Sequence, residues 1–433
     1  MSQSDSSQRT TSNFHVMGKP VGPLCNLDCK YCFYLEKEDL YPAASNFRMA
    51  ESVLTQYIRQ YIDSQPGTEV NFAWQGGEPT LLGLDYFRHI VEVQAQFAGR
   101  KRVSNAIQTN ATLLDDAWCE FLRDNHFLVG VSIDGPRELH DRYRVDKGGH
   151  PTFDKVMAGL ELLKRHAVTF NTLTVVHRDN ARHPLEVYRY LKDIGSTYLQ
   201  FIPLVERLAV AKLVPPPTRG DAREGGVAPW SVEPLQYGKF LVEIFTDWVR
   251  RDVGEIFVQL FEVALGNWLG LGSSLCIFAE TCGRALALEH NGDVFSCDHY
   301  VYPRYKLGNV LTDDLADLVH LPIQRYFGNA KRDSLPEYCR NCDVRFACNG
   351  ECPKNRFIKT PDGQPGLNYL CQGYKHFFGS IDPQMKELAR LIRSGRSVTD
   401  IMVRSSSRSS LSPASDGCPC GSGLEFQQCH GKF

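Results

Sequence analysis

No segment of this 433-residue sequence is apolar for long enough to cross a bilayer, and its opening, MSQSDSSQRTTSNFHV, has no apolar core of the kind that directs secretion. Those two absences make a cytoplasmic, reducing setting the expectation. Charge of one sign is missing as well: 48 Lys and Arg oppose 50 Asp and Glu, a net of -2, so no global field argues for nucleic acid or an anionic membrane as partner. Partners must then be inferred from individual sites. Cysteine, by contrast, is abundant, with 15 residues. A disulfide framework does not persist in a reducing compartment, which moves metal binding to the front. The cysteines also come in groups: 25, 29 and 32; 276, 282 and 297; 339, 342, 348, 352 and 371; 418, 420 and 429. Only Cys119, in the helical pattern AWCEFL, stands apart, as a small buried apolar residue would.

The first group reads Cys25-Asn-Leu-Asp-Cys29-Lys-Tyr-Cys32. Three thiolates at this spacing can surround one metal centre and leave it short of a fourth ligand, as an open iron of an iron–sulfur cluster requires. A zinc site or buried structural thiols fit the same spacing. Downstream, Gln75-Gly76-Gly77-Glu78-Pro79 offers backbone without side chains where a ligand could approach, although an ordinary strand-to-helix turn also uses two glycines.

Length allows two or three domains. Across residues 14–252, β-rich runs at 14–19, 69–74, 103–108, 127–133, 168–175 and 197–203 alternate with amphipathic helical patterns. Phe153, Val156, Met157, Leu160 and Leu163 mark one helix face, and Leu241, Ile244, Phe245 and Trp248 another. Repeated βα units predict a parallel sheet with helices outside and ligand loops at the strands' C-terminal ends. Six units, not eight, predict a partial, open barrel, with the Pro- and Gly-rich segment 214–234 near its gap. From 275 to about 379 the periodicity weakens and cysteines crowd together, which predicts a domain held by metal ligation more than by an apolar core. A helix at 383–394, a serine-rich linker and a compact terminal module complete the chain.

CxxxCxxC after the first strand and GGEP after the second resemble the radical S-adenosylmethionine (SAM) enzymes, over residues 14–252. The resemblance implies a partial (β/α)6 barrel in which Cys25, Cys29 and Cys32 hold a [4Fe-4S] cluster and SAM chelates its open iron, to be cleaved into methionine and a 5′-deoxyadenosyl radical. It further implies that Tyr31 contacts the adenine and Gly77 lies by the SAM amino group. Ser132 and Arg144, within SIDGPRELHDRYR, reach the ribose and carboxylate region, and Leu204 lines the adenine pocket. Read alone, Ser132 is a strand-end cap and Arg144 a surface charge.

The later cysteines, with Gly292 between Cys282 and Cys297, resemble the SPASM auxiliary-cluster domain. That likeness implies two further [4Fe-4S] clusters with crossed ligands: Cys276, Cys282, Cys297 and Cys352 on one, Cys339, Cys342, Cys348 and Cys371 on the other. Two zinc sites are the alternative for the same eight thiolates. The run Cys297-Asp298-His299-Tyr300 and the loops CNLDCKYCFYLEK and WQGGEPTLLG are similar to the anaerobic sulfatase-maturating enzymes. By that likeness Asp298 is the general base, an auxiliary cluster takes the second electron, Tyr34 contacts the peptide and His299 is a packing residue. Read alone, Asp298 is a solvent-exposed turn residue. The implied activity is oxygen-independent conversion of a sulfatase Cys or Ser to Cα-formylglycine, with a low-potential donor such as flavodoxin or ferredoxin. Other SPASM peptide crosslinking, or a non-catalytic iron–sulfur or zinc adaptor, are the rivals. The tail, with Cys418, Cys420, Cys429 and His430, resembles a SEC-C motif, which implies a closed structural zinc site suited to docking. The expected division is 1–13 disordered, 14–252 barrel, 253–394 SPASM, 395–415 linker and 416–433 SEC-C.

Overall fold

A computed structural model describes residues 13–42, 45–209, 212–213, 215–216 and 226–402. The expectations for the first twelve residues, for most of the serine-rich linker and for Cys418, Cys420, Cys429 and His430 lie outside the described residues.

Six parallel strands form the centre: β1 (His15–Lys19), β2 (Glu69–Trp74), β3 (Arg102–Thr109), β4 (Leu128–Ser132), β5 (Phe170–Val176) and β6 (Tyr198–Pro203). Helices follow them in turn: α1 (Glu51–Ser64), α2 (Leu84–Phe97), α3 (Asp116–Asp124), the one-turn α4 (Arg137–His140), α5 (Phe153–Arg165), α6 (Pro184–Asp193) and α7 (Pro234–Arg251). Local chemistry sets the boundaries. Asp115 caps α3 by accepting from the Trp118 amide at 2.8 Å, and prolines open α6 and α7 where no amide donor is needed. Along β2 (EVNFAW) alternate residues Val70, Phe72 and Trp74 are buried, and the Phe72 and Trp74 rings meet Tyr57 of α1 at 5.5 and 5.8 Å.

A small sheet of β7 (Arg207–Ala209), β8 (Lys212–Leu213) and β9 (Gly226–Val227) follows β6, in the order β8-β7-β9. The chain then returns to the main sheet rather than leaving it. There β10 (Phe257–Val258) pairs parallel with β6, and after α8 (Gln259–Leu269) the strand β11 (Ala285–Glu289) pairs parallel with β1. Two antiparallel strands, β12 (Asp293–Phe295) and β13 (Lys306–Asn309), complete the order β10-β6-β5-β4-β3-β2-β1-β11-β12-β13. β1 and β6 therefore stand five strands apart, and the barrel is open.

The cysteine-rich region contains α9 (Leu315–His320), α10 (Pro322–Asp333), α11 (Glu337–Arg340), α12 (Arg345–Cys348) and α13 (Cys371–Arg393). It does not rely on ligation in place of a core: Phe278, Leu286, Leu288, Leu315, Phe377 and Ile381 belong to the same buried cluster as the barrel's Val131 and Trp74. The last helix also starts twelve residues before the expected 383. Pro383 lies inside α13, and the first residue of that helix is Cys371.

Candidate functional site

The loop after β1 carries Cys25, Cys29 and Cys32 along the C-terminal rim. Its path is set by backbone pairing with the segment after β4: the Asp28 and Lys30 amides donate to the Val145 and Tyr143 carbonyls at 2.9 and 3.0 Å. All three thiols are half-buried, and burial pushes Cys25 and Cys29 up to about 12, so they ionise only toward a cation. Two side-chain amides flank Cys25. Asn110 Nδ2 donates to Asn26 Oδ1 at 2.8 Å and lies 3.9 Å from the Cys25 sulfur.

The glycine-rich loop after β2 is packed against that entrance. Gly77 and Glu78 amides donate to the Gly22 and Leu24 carbonyls at 2.8 and 2.9 Å. A Cβ on Gly77 would overlap the Leu24 carbonyl, so the close approach needs glycine. Glu78 is buried, yet its carboxylate accepts from Thr80, Thr109 Oγ1 and the Asn110 amide at 2.7 to 3.1 Å, which ties the loops after β2 and β3 together.

Beyond β4 a second buried constellation appears. Tyr31 donates to Asp134 Oδ2 at 2.5 Å, and Arg144 pairs both oxygens of Asp134 at 2.9 and 3.0 Å while its guanidinium lies 5.6 Å from the Tyr31 ring centroid. Burial pushes the Asp134 carboxyl up, but Arg144 outweighs it and holds the group below the usual range. Arg144 is thus a buried, paired cation and not a surface charge. Asp134 sits inside SIDGPRELHDRYR with no spacing signal that marks it in the sequence. Ser132 accepts from Gln108 Nε2 at 2.9 Å, and buried Leu204 donates its amide to Val176 at 2.9 Å.

The end of β1 meets the cysteine-rich region at Asp298. Register between β1 and β11 sets Lys19 beside Glu289, and Lys19 pairs with Asp298 just after the β12–β13 turn begins. The Lys19 ammonium also lies 3.5 Å from the centroid of Tyr34, whose hydroxyl donates to Glu289. Burial raises the Asp298 carboxyl, but Lys19, His299 and Lys37 together hold it below the usual range, so it is ionised at neutral pH. Its side chain is 24% exposed, against the free exposure expected of an ordinary turn. Tyr34 is buried, its hydroxyl engaged by Glu289.

A cavity of about 180 Å³ is lined by Phe33, Lys37, Glu206, His299, Tyr302 and Lys354 among others, and His299 directly follows Asp298 in the chain. His299 packs 5.5 Å from Phe33, and burial with Lys354 nearby brings it down to about 4. Lys37, silent in the sequence, is buried with its ammonium 3.2 Å from the Tyr302 centroid, and burial lowers it to about 7.

Behind Asp298 the eight later thiols fall into two neighbourhoods. Cys352 feels the charges of Cys276 and Cys282, and Cys297 those of Cys352 and Cys276. Cys371 feels Cys339 and Cys342, and Cys348 feels Cys371 and Cys339. The second group lines one small cavity with Tyr338, Asn368 and Lys375. Each neighbourhood thus brings four of the sequence-predicted cysteines together, 276, 282, 297 and 352 in one and 339, 342, 348 and 371 in the other. Among the described residues no three Cys, His, Asp or Glu side chains close on a single ion. Cys119 is wholly buried in α3, apart from all of these.

Residues 20–191 match the radical SAM superfamily, 276–343 match the SPASM iron–sulfur cluster-binding domain and 415–432 match the SEC-C motif. The chain is 46% identical over 395 residues to a serine-type anaerobic sulfatase-maturating enzyme of Bacteroides thetaiotaomicron, covering 90% of this chain and 94% of that protein. A cysteine-type anaerobic sulfatase-maturating enzyme of Clostridium perfringens is 34% identical over 378 residues, 87% of this chain and 98% of that one. Among solved structures, native anSMEcpe with bound AdoMet and Cp18Cys peptide superposes with a TM-score of 0.77 at 33% identity, covering 88% of this chain and 100% of that one.

Proposed function

The chain belongs to the anaerobic sulfatase-maturating enzymes of the radical SAM superfamily, and from that membership we propose how its own residues carry out the reaction. It is an oxidoreductase that uses SAM and iron–sulfur clusters to convert a Cys or Ser of a sulfatase peptide to Cα-formylglycine without oxygen. No helix among the described residues is long and apolar enough to cross a membrane, and we place the enzyme in the cytoplasm.

The finer assignments follow from placement. Cys25, Cys29 and Cys32 hold the first cluster; Cys276, Cys282, Cys297 and Cys352 hold the second; Cys339, Cys342, Cys348 and Cys371 hold the third. Bound there, SAM and a reduced cluster supply the radical that removes a hydrogen atom from the substrate Cβ. Tyr31, Gly77, Ser132, Arg144 and Leu204 shape the SAM site. In it Gly77 brings bare backbone close, and the Asp134–Arg144 pair keeps Tyr31 in place. The sulfatase peptide enters the cavity at Phe33, Lys37 and His299. Asp298, ionised beside Lys19, takes the proton from the substrate hydroxyl or thiol, and the electron left on the substrate would pass to an auxiliary cluster. Flavodoxin or ferredoxin is the electron donor, and a zinc ion held by Cys418, Cys420, Cys429 and His430 gives the tail a docking role. We infer a division into a barrel over 14–252 and a SPASM region over 253–394, with β11 as their joint and the linker and SEC-C motif after them.

The observation that carries the mechanism is the position of Asp298, paired with Lys19, with Cys297 directly before it and His299 of the cavity lining directly after it. Anaerobic reconstitution is expected to load about twelve irons per chain. With SAM and reductant, a serine-containing sulfatase peptide is expected to lose two hydrogens and to yield an aldehyde-reactive product. An intramolecular crosslink, or no SAM cleavage by the iron-loaded enzyme, overturns the proposal.

A further inference from the structure

Between the two auxiliary cysteine sets the backbone runs Cys348-Asn349-Gly350-Glu351-Cys352, and three residues in succession are left-handed, with φ of 47°, 71° and 50°. Asn and Gly visit this region at modest cost, whereas Glu has no local reason to adopt it. Such a conformation persists only where its surroundings over-determine it. Here one side chain bonds all three carbonyls. Arg356 Nε donates to the Gly350 carbonyl at 2.8 Å, and Nη2 donates to the Asn349 and Glu351 carbonyls at 2.9 and 3.0 Å. Its remaining nitrogen, Nη1, donates to the Lys331 carbonyl of α10 at 2.5 Å. Lys331 in turn gives its own ammonium to the Cys276, Ile277 and Ala279 carbonyls at 2.5 to 2.9 Å. A continuous chain of cationic hydrogen bonds thus joins the Cys276 loop to the turn that separates Cys348 from Cys352.

The guanidinium is buried, 7% exposed, and its charge reaches Cys282 of one set and Cys339 of the other. The Glu351 carboxylate is bonded by Asn355 and Asn368 at 3.1 and 2.5 Å, and its charge favours the protonated guanidinium. Arg356 therefore stands between the two cages as a permanent cation. A thiolate-ligated cluster is anionic, and each added electron makes it more so. A buried positive charge favours the reduced form, and burial limits screening of that effect.

We propose that Arg356 is a positioning residue that fixes the separation of the two auxiliary clusters and raises the reduction potential of both. The inference rests on the assignment of the eight later cysteines as two cluster-ligand sets.

The test uses full-length protein in a C25A/C29A/C32A background, which leaves only the auxiliary cages to be loaded, with the parent compared with R356Q and R356K. Iron content and midpoint potentials from an EPR-monitored redox titration are read without turnover. R356Q is expected to shift both potentials downward, and R356K, which keeps the charge but forms fewer carbonyl bonds, to recover most of that shift. Iron loss from R356Q with loading retained in R356K also supports the proposal, because it assigns the holding to the charge. Potentials in R356Q that coincide with the parent's at full iron content overturn it, as does iron loss from both variants. A parent that loads no auxiliary iron instead overturns the ligand assignment itself, so the two failures are distinguishable.

Discussion

Gly77 shows how one missing Cβ shapes the site. Its neighbour Glu78 secures the loop after β2 through Thr80, Thr109 and Asn110, so the loop cannot withdraw when a methyl group is added. In Gly77→Ala the Leu24 carbonyl has to move, and with it the entrance to Cys25. The variant is expected to lose about four of twelve irons and all SAM cleavage while keeping the auxiliary spectrum. Asp298→Asn keeps the shape but cannot take the proton. Product should fall by about 10²- to 10⁴-fold with 5′-deoxyadenosine still formed, a split that chromatography of both products reads directly. Asp134→Asn strands Arg144 without its charge partner, and loss of one member of a buried pair costs about 3–5 kcal/mol, visible as a lowered denaturation midpoint. The Asp134 carboxyl is held below its ordinary value of about 3.9. Its stabilisation is therefore complete above the unfolded value and lost as pH falls through the lower folded one, and the Asn variant should lack that acid-dependent part.

Among the elements, α7 and α13 matter most for holding the second auxiliary set. They cross at glycines: a Cβ on Gly373 would overlap the Pro234 carbonyl, and one on Gly238 the Gly373 carbonyl. That contact seats the start of α13, and Cys371 is its first residue. Gly373→Leu is expected to push the helix outward and reduce bound iron from about twelve to about eight, with SAM cleavage preserved. Iron analysis beside a SAM-cleavage assay checks both halves. The parallel pair β1–β11 has the complementary task. Its register aligns Lys19 with Glu289, which places the barrel's first strand beneath Asp298.

On the scale of the whole molecule, barrel and SPASM region share a sheet and a core, so Asp298, the cavity that His299 lines and the later cysteines belong to one continuous structure. The SEC-C match lies beyond that structure, at 415–432. Ending the chain at residue 402 is expected to remove one equivalent of zinc and leave peptide oxidation intact, measured by metal analysis and mass spectrometry. The sequence alone marked the cysteine groups as metal ligands, because spacing within CxxxCxxC and the later cysteines is a local property of the chain, and it was resemblance to known families that chose iron–sulfur clusters over zinc. It also determined the six βα units, since burial on one face imposes a period that composition records. Tertiary structure alone decided that β11 adds to β1 and that Asp298 is held ionised by Lys19, a residue 279 positions away. It likewise decided that Asp134 pairs with Arg144 and that Arg356 spans the two cages. Those contacts join distant segments through burial and charge, and no periodicity or spacing along the chain encodes which buried cation will meet which partner.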